Sequence, residues 1–125
     1  MNQVKHILVI DDEEAIRYLL ERIIAHFCAN CQLTALGKSD AIKSHIQEQF
    51  FDLAFIDYHI PGLNGLELAY IIRQISPQTK IVLMSGNDSD SVVFAKAIED
   101  QLVNQFLPKP FLPDHINQIV NQLAA

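Results

Sequence analysis

Leu53-Ala54-Phe55-Ile56-Asp57 is an unbroken apolar run that stops on a carboxylate, and Tyr58-His59-Ile60-Pro61-Gly62-Leu63-Asn64-Gly65 follows it as a loop. A short run without polar alternation fits a strand covered on both faces, as parallel sheets require. Three further segments read the same way. Ile7-Leu8-Val9-Ile10 stops at Asp11-Asp12, Ile81-Val82-Leu83-Met84 at Ser85-Gly86, and Phe106-Leu107 leads to Lys109-Pro110. Each polar residue therefore falls at the C-terminal end of a strand. In an open α/β sheet those ends form one edge, and ligands bind there. Three carboxylates, one hydroxyl and one ammonium at that edge suit a divalent cation with a phosphoryl group, and little else.

Helical segments separate the strands. Asp12 reads as an N-cap with Glu13 and Glu14 in the first turn, and Ile16, Leu19, Leu20, Ile23, Ile24 and Phe27 recur at helical spacing. Gln32-Leu33-Thr34-Ala35-Leu36 reads as a strand. Gly37 allows a turn, Ser39 can cap, and Ala41, Ile42, Ile46 and Phe50 mark a second helix. A third helix carries Leu66, Leu68, Ala69, Ile71 and Ile72 and stops before Pro77. Asp88-Ser89-Asp90 can cap a fourth through Val93, Phe94, Ala97 and Ile98. A fifth runs from about Pro113 through Ile116, Ile119, Val120 and Leu123. Strand and helix alternate five times, which implies one doubly wound α/β domain over residues 1–125, with helices on both faces of the sheet.

Composition agrees. The 125 residues fit one domain, half of them hydrophobic, and need neither a disulfide nor a metal to hold a core. A formal net charge of −6 argues against direct nucleic-acid binding. No apolar run approaches the ~20 residues of a membrane span. The start, Met1-Asn2-Gln3-Val4-Lys5-His6, lacks a signal-peptide core, so a cytoplasmic location is expected. The chain ends with its fifth helix, which leaves no room within it for an effector domain. Cys28 and Cys31 form a C-x-x-C near His26. They follow a helix C-terminus, where the dipole disfavours a thiolate, and no second C-x-x-C completes a zinc site. Ordinary cysteines in a helix–strand turn are expected.

Asp11, Asp12 and Asp57 together repel. Two such charges a few ångströms apart cost ~4 kcal/mol at an effective dielectric near 20. A hard cation such as Mg²⁺ relieves this, using one or two carboxylates, waters and phosphate oxygens. Taken singly, each residue has an ordinary reading: a capping pair, a turn aspartate, a turn serine, a solvated lysine. Their coincidence at corresponding strand ends carries the argument.

At this point the chain resembles the receiver domain of bacterial two-component response regulators, of the chemotaxis-regulator kind, over nearly its whole length. The family's acidic pair matches Asp11-Asp12. Its phosphoacceptor motif, D-x-x-[apolar]-P-x-x-x-G, matches Asp57 to Gly65. Its Ser/Thr-then-small pair matches Ser85-Gly86, and its aromatic-x-x-Lys-Pro-aromatic motif matches Phe106 to Phe111. The resemblance implies a flavodoxin-like (βα)5 fold with strand order 2-1-3-4-5. It implies Asp57 as phosphoacceptor, and Mg²⁺ held by Asp12, Asp57, Asp11 (partly through water) and the His59 backbone carbonyl. Lys109 would neutralise phosphoryl oxygens, and Gly86 would leave room for the incoming group. Ser85 and Phe106 would form the switch, and Lys109-Pro110 would be cis. The donor would be a sensor histidine kinase or phosphotransfer protein. A helix 4–strand 5–helix 5 surface would act on a target, an output domain or a phosphorylation-dependent dimer. Such a domain is a switch that assists its own phosphorylation and dephosphorylation, not an enzyme. Gln101-Leu102-Val103-Asn104 departs from the family's frequent Gly-Ala, so that loop is expected to differ in shape. His59 and Asn87, two residues past Asp57 and Ser85, occupy positions that tune acyl-phosphate lifetime in the family.

Three rivals fit less well. A haloacid-dehalogenase-type phosphatase wants Asp-x-Asp, which Asp57-Tyr58-His59 lacks. A flavodoxin wants a hydroxyl- or glycine-rich first loop, where Asp11-Asp12-Glu13-Glu14 would repel phosphate. A pseudo-receiver, an interaction module that is never phosphorylated, wants a decayed site, and here the residue set is complete.

Overall fold

The computed structural model describes residues 3–87 and 90–124. Five strands and five helices alternate: β1 (Lys5–Ile10), α1 (Glu14–Phe27), β2 (Cys31–Leu36), α2 (Ile42–Glu48), β3 (Leu53–Asp57), α3 (Gly65–Ile75), β4 (Lys80–Ser85), α4 (Ser91–Glu99), β5 (Gln105–Pro108) and α5 (Pro113–Leu123). All pairings are parallel, as the alternation implied, and the order is β2-β1-β3-β4-β5, as the resemblance implied. The chain order reverses direction between β1 and β3, so a switch-point crevice opens above their C-terminal ends.

Two cores flank the sheet, and strand alternation assigns residues to them. Ile7, Val9, Leu53, Phe55, Val82, Met84 and Leu107 pack with α1 and α5 through Leu20, Ile23, Ile24, Ile116 and Ile119. Leu8, Ile10, Ala54, Ile56, Ile81 and Leu83 pack with α2, α3 and α4 through Ile46, Leu68, Ile72 and Phe94. The same period of two continues to the strand ends. Asp11, Asp57 and Lys109 fall in step with the α1/α5 face, whereas Ser85 falls in step with the α2/α3/α4 face.

Several expectations change at helix ends. Asp12 does not cap α1. Its N-cap is Glu13, which makes no side-chain cap bond, and Asp11 instead accepts from the Glu13 N–H at 2.9 Å. Ser39 contributes its carbonyl, not its hydroxyl, to the start of α2, taking a bond from the Ile42 N–H at 3.1 Å. Because α2 ends at Glu48 and Gln49 is extended, Phe51 enters the core and Phe50 stays half-exposed. Leu19, Phe27, Val93 and Ile98 sit on the rims of their helices and remain partly exposed. The expected cap at Asp88-Ser89 lies outside the described residues. Cys28 and Cys31 occupy the α1–β2 turn as expected, but a disulfide joins them. Cys28 closes α1 and Cys31 opens β2, which brings their Cα atoms to 5.5 Å, within bridging range. The Gln101–Asn104 turn is held by Gln101 at φ 62° and by Asn104, whose side-chain oxygen accepts from the Ile81 N–H at 2.8 Å.

Gly65 fixes the loop after β3. Its N–H donates to the Tyr58 carbonyl at 2.8 Å. A Cβ there would lie 2.8 Å from Tyr58 Cα and 2.9 Å from the Asp57 carbonyl oxygen. Backbone on both contacts has little freedom to yield. Gly65→Ala is therefore expected to destabilise the fold by about 1–3 kcal/mol, measured by chemical denaturation.

Candidate functional site

Backbone bonds past the strand ends tie each of three loops to the neighbouring strand. Asp11 N–H donates to the Leu36 carbonyl at 3.0 Å, Tyr58 N–H to Met84 at 2.9 Å, and Lys109 N–H to Ser85 at 2.8 Å. The sheet ladder thus continues into the loops and places their side chains with strand-like precision. Asp11, Asp12 and Asp57 each bring a carboxylate oxygen into one group, all within 4.8 Å of one another.

Lys109 neutralises part of this charge. Its Nζ lies 2.8 Å from Asp11 Oδ2, 3.4 Å from Asp57 Oδ1 and 3.8 Å from Glu13 Oε1. Asp11 is fully buried and Lys109 is 13% exposed, so the inner pair is desolvated and tight. Burial pulls the Lys109 ammonium down, but Asp11, Asp57 and Glu13 outweigh it and the net direction is upward. Burial pushes the Asp57 carboxyl above its ordinary value, and the neighbouring Asp11 charge pushes the same way. Lys109 and the His59 backbone N–H pull it back only in part. Asp57 is thus a carboxylate short of positive charge.

The donor set fits a hard divalent ion. Three carboxylates at this spacing exceed what one lysine neutralises, and Asp12 is exposed and open to ligation. Asp11 already spends Oδ2 on Lys109 and Oδ1 on the Glu13 N–H, which favours an indirect share in any ion's shell. Among the described residues, a Cβ on Gly86 would have only Lys109 Cβ within 4 Å, at 3.9 Å. The space there is open, as a residue that leaves room for an incoming group requires.

The response regulator receiver domain family matches residues 7–121. The chain belongs to that family. Among curated relatives, this receiver is 30% identical over 115 residues to the DNA-binding transcriptional regulator NtrC of Salmonella typhimurium, covering 91% of the chain and 24% of that protein. It is 29% identical to stress response regulator protein 1 of Debaryomyces hansenii, covering 87% of the chain and 46% of that protein. The receiver therefore spans less than half of the length of these relatives. Among solved structures, the beryllofluoride-activated NtrC4 receiver domain dimer superposes with TM-score 0.84 at 25% identity, covering 97% of each chain. The Thermotoga maritima response regulator TrrA, in complex with Mg²⁺-BeF, gives 0.81 at 25%, over 96% of this chain and 99% of that one.

The remaining residues of the receiver divide across the sheet. Lys109-Pro110 is cis, as implied. Ser85 is buried and, among the described residues, makes no hydrogen bond to Asp57. Its Oγ donates instead to Asp90 Oδ2 at 2.7 Å. His59 Nε2 reaches the same oxygen at 2.7 Å. The Ser85 hydrogen bond and then His59 hold the Asp90 carboxyl below the usual range, so it is an ionised acceptor and His59 Nε2 carries the hydrogen. Phe106 is half-buried, its ring 4.6 Å from that of Phe94, which in turn stacks edge-on against Tyr58 at 4.9 Å. Asp90 was not legible as a site residue. An aspartate before a helix reads as a cap, and nothing local ties it to His59, 31 positions away.

Because the folded receiver disfavours the charged form of Asp57, stability is lost as pH rises through its raised folded value. The cost falls on the charged form. Asp57→Asn in metal-free buffer at pH 7 is expected to gain about 1 kcal/mol, roughly 4 °C in Tm. The gain shrinks as pH falls to about 4. Thermal unfolding of both forms across pH reads it.

Proposed function

We propose that this receiver accepts a phosphoryl group onto Asp57 from the phosphohistidine of a sensor histidine kinase or a phosphotransfer protein, with Mg²⁺ as cofactor. The observation that supports it is the grouping of Asp57 with Asp11, Asp12 and Lys109 at one sheet edge, its carboxylate 3.4 Å from the lysine ammonium. An Asp57 carboxylate oxygen attacks phosphorus and forms a P–O bond. The P–N bond to the donor imidazole breaks, and the electron pair leaves with that nitrogen. The transition state is loose, so positioning and charge neutralisation supply most of the catalysis.

Asp12, Asp57, the His59 carbonyl and, less directly, Asp11 would hold the metal. When bound, Mg²⁺ supplies positive charge to phosphoryl oxygens and brings them into line with Asp57. Lys109 supplies a second positive charge, already anchored by Asp11. The raised Asp57 value reflects an anion poorly paired in the resting protein, and a group that gains from added cations. After transfer, the phosphoryl oxygens are strong acceptors. Ser85 is the donor positioned to cross to them, and Phe106, packed on Phe94 of α4, is placed to pass a shift to the α4–β5–α5 surface. That surface would act on a target protein, an output domain or a second copy.

The related TrrA is described with Mg²⁺-BeF and the NtrC4 receiver as activated by beryllofluoride; the same probe suits this chain. The acidic balance, −6, supports a receiver that does not itself touch nucleic acid. No helix among the described residues is long and apolar enough to cross a membrane. We place the protein in the cytoplasm, where Cys28 and Cys31 would stand reduced.

Incubation with a small phosphodonor such as acetyl phosphate and Mg²⁺ should add the mass of one phosphoryl group, labile to alkali. Asp57→Asn or chelation should remove the gain. Lys109→Arg keeps a cation beside Asp11 but not the ammonium's position, and should slow labelling at least about tenfold. Labelling that persists in Asp57→Asn sinks the assignment, and no labelling of the folded wild type favours the pseudo-receiver.

A further inference from the structure

Ser85 has one proton to donate. In the resting receiver it goes to Asp90 Oδ2 at 2.7 Å, a short bond to a charged acceptor. The Asn87 N–H donates to Ser85 Oγ at 3.0 Å, which further fixes the hydroxyl on the α4 side of the sheet edge. Asp90 stands at the N-cap of α4, yet its side chain makes no cap bond to that helix. Its carboxylate is 12% exposed and takes His59 Nε2 and Ser85 Oγ on one oxygen. One carboxylate therefore ties the loop after β3 to the loop after β4, and does so from the residue that precedes α4.

We propose that Asp90 is a positioning residue that holds the Ser85 hydroxyl away from Asp57, so that a phosphoryl group on Asp57 must compete with Asp90 for it. The inference rests on the phosphoacceptor reading of Asp57. Two forces oppose each other across the sheet edge. The phosphoryl oxygens offer Ser85 a stronger set of acceptors, and Asp90 offers one already made. Negative charge added at Asp57 also disfavours a second anion beside Ser85, so Ser85 and Asp90 part together. Asp90 thus sets how much of the phosphorylated population has Ser85 engaged, and couples that engagement to the start of α4.

Beryllofluoride with Mg²⁺ serves as the phosphoryl probe, titrated into the full chain and followed by the amide NMR signals of Ser85 and Phe106. Asp90→Ala frees the Ser85 hydroxyl and should tighten probe binding about tenfold. Asp90→Asn keeps the shape and a neutral acceptor, and should fall between it and wild type. In a Ser85→Ala background, Asp90→Ala should change affinity less than about twofold, since no hydroxyl remains to compete for. A merely structural role for Asp90 would lower Tm and change affinity equally in both backgrounds, which overturns the proposal. So does an unchanged or weakened affinity in folded Asp90→Ala and Asp90→Asn. Wild type that binds no probe removes the phosphoacceptor reading and this inference with it. Tight wild-type binding that Asp90 variants leave unmoved removes this inference alone.

Discussion

The ion pair between Lys109 Nζ and Asp11 Oδ2, 2.8 Å long and spanning 98 residues of sequence, governs the rest of the site. Asp11 is completely buried, and a buried carboxylate without a partner would cost several kcal/mol. Its partner comes from the loop after β5, two strands beyond β3 in the sheet. The pair therefore bridges the width of the crevice with Asp57 beneath it. Lys109 Nζ on Asp11 also stands 3.4 Å from Asp57 Oδ1, so the interaction that keeps a buried acid tolerable also holds a cation beside the Asp57 carboxylate.

The sheet sorts chemistry by parity. Asp11, Asp57 and Lys109 extend the side-chain register of Ile7-Val9, Leu53-Phe55 and Leu107, which face α1 and α5. Ser85 extends that of Ile81-Leu83, which face α3 and α4. Charge accumulates over one layer and the hydroxyl over the other. Under the proposed phosphorylation, signal transmission would have a physical meaning: a hydrogen-bond donor would change sides at the end of β4. The row Tyr58, Phe94, Phe106 lies on the side it would leave, in aromatic contact from the sheet edge toward α4 and β5.

The apolar runs located the central strands β1, β3 and β4, because a strand buried on both faces must be continuously apolar and must stop where solvent or charge begins; the edge strands β2 and β5 are only partly buried and mixed in sequence. The legible site residues were those at the stops. Helix ends were read less well, since a cap depends on where the backbone turns, not on which polar residue is near. Asp12 is left exposed because Asp11 takes the turn's N–H, and Phe51 replaces Phe50 in the core because α2 ends at Glu48. The disulfide between Cys28 and Cys31 depends likewise on how sharply the chain passes from α1 to β2.

The order of elements, the sheet edge at which the acids gather and the family were determined by the linear pattern of apolar runs and the residues that end them. What tertiary structure decided is which side of that edge each group faces and what it bonds to at rest. Asp90 belongs to the second kind. Its carboxylate finds Ser85 and His59 only after β3, β4 and α4 have packed, and no local propensity encodes a contact between segments that meet only in the folded chain.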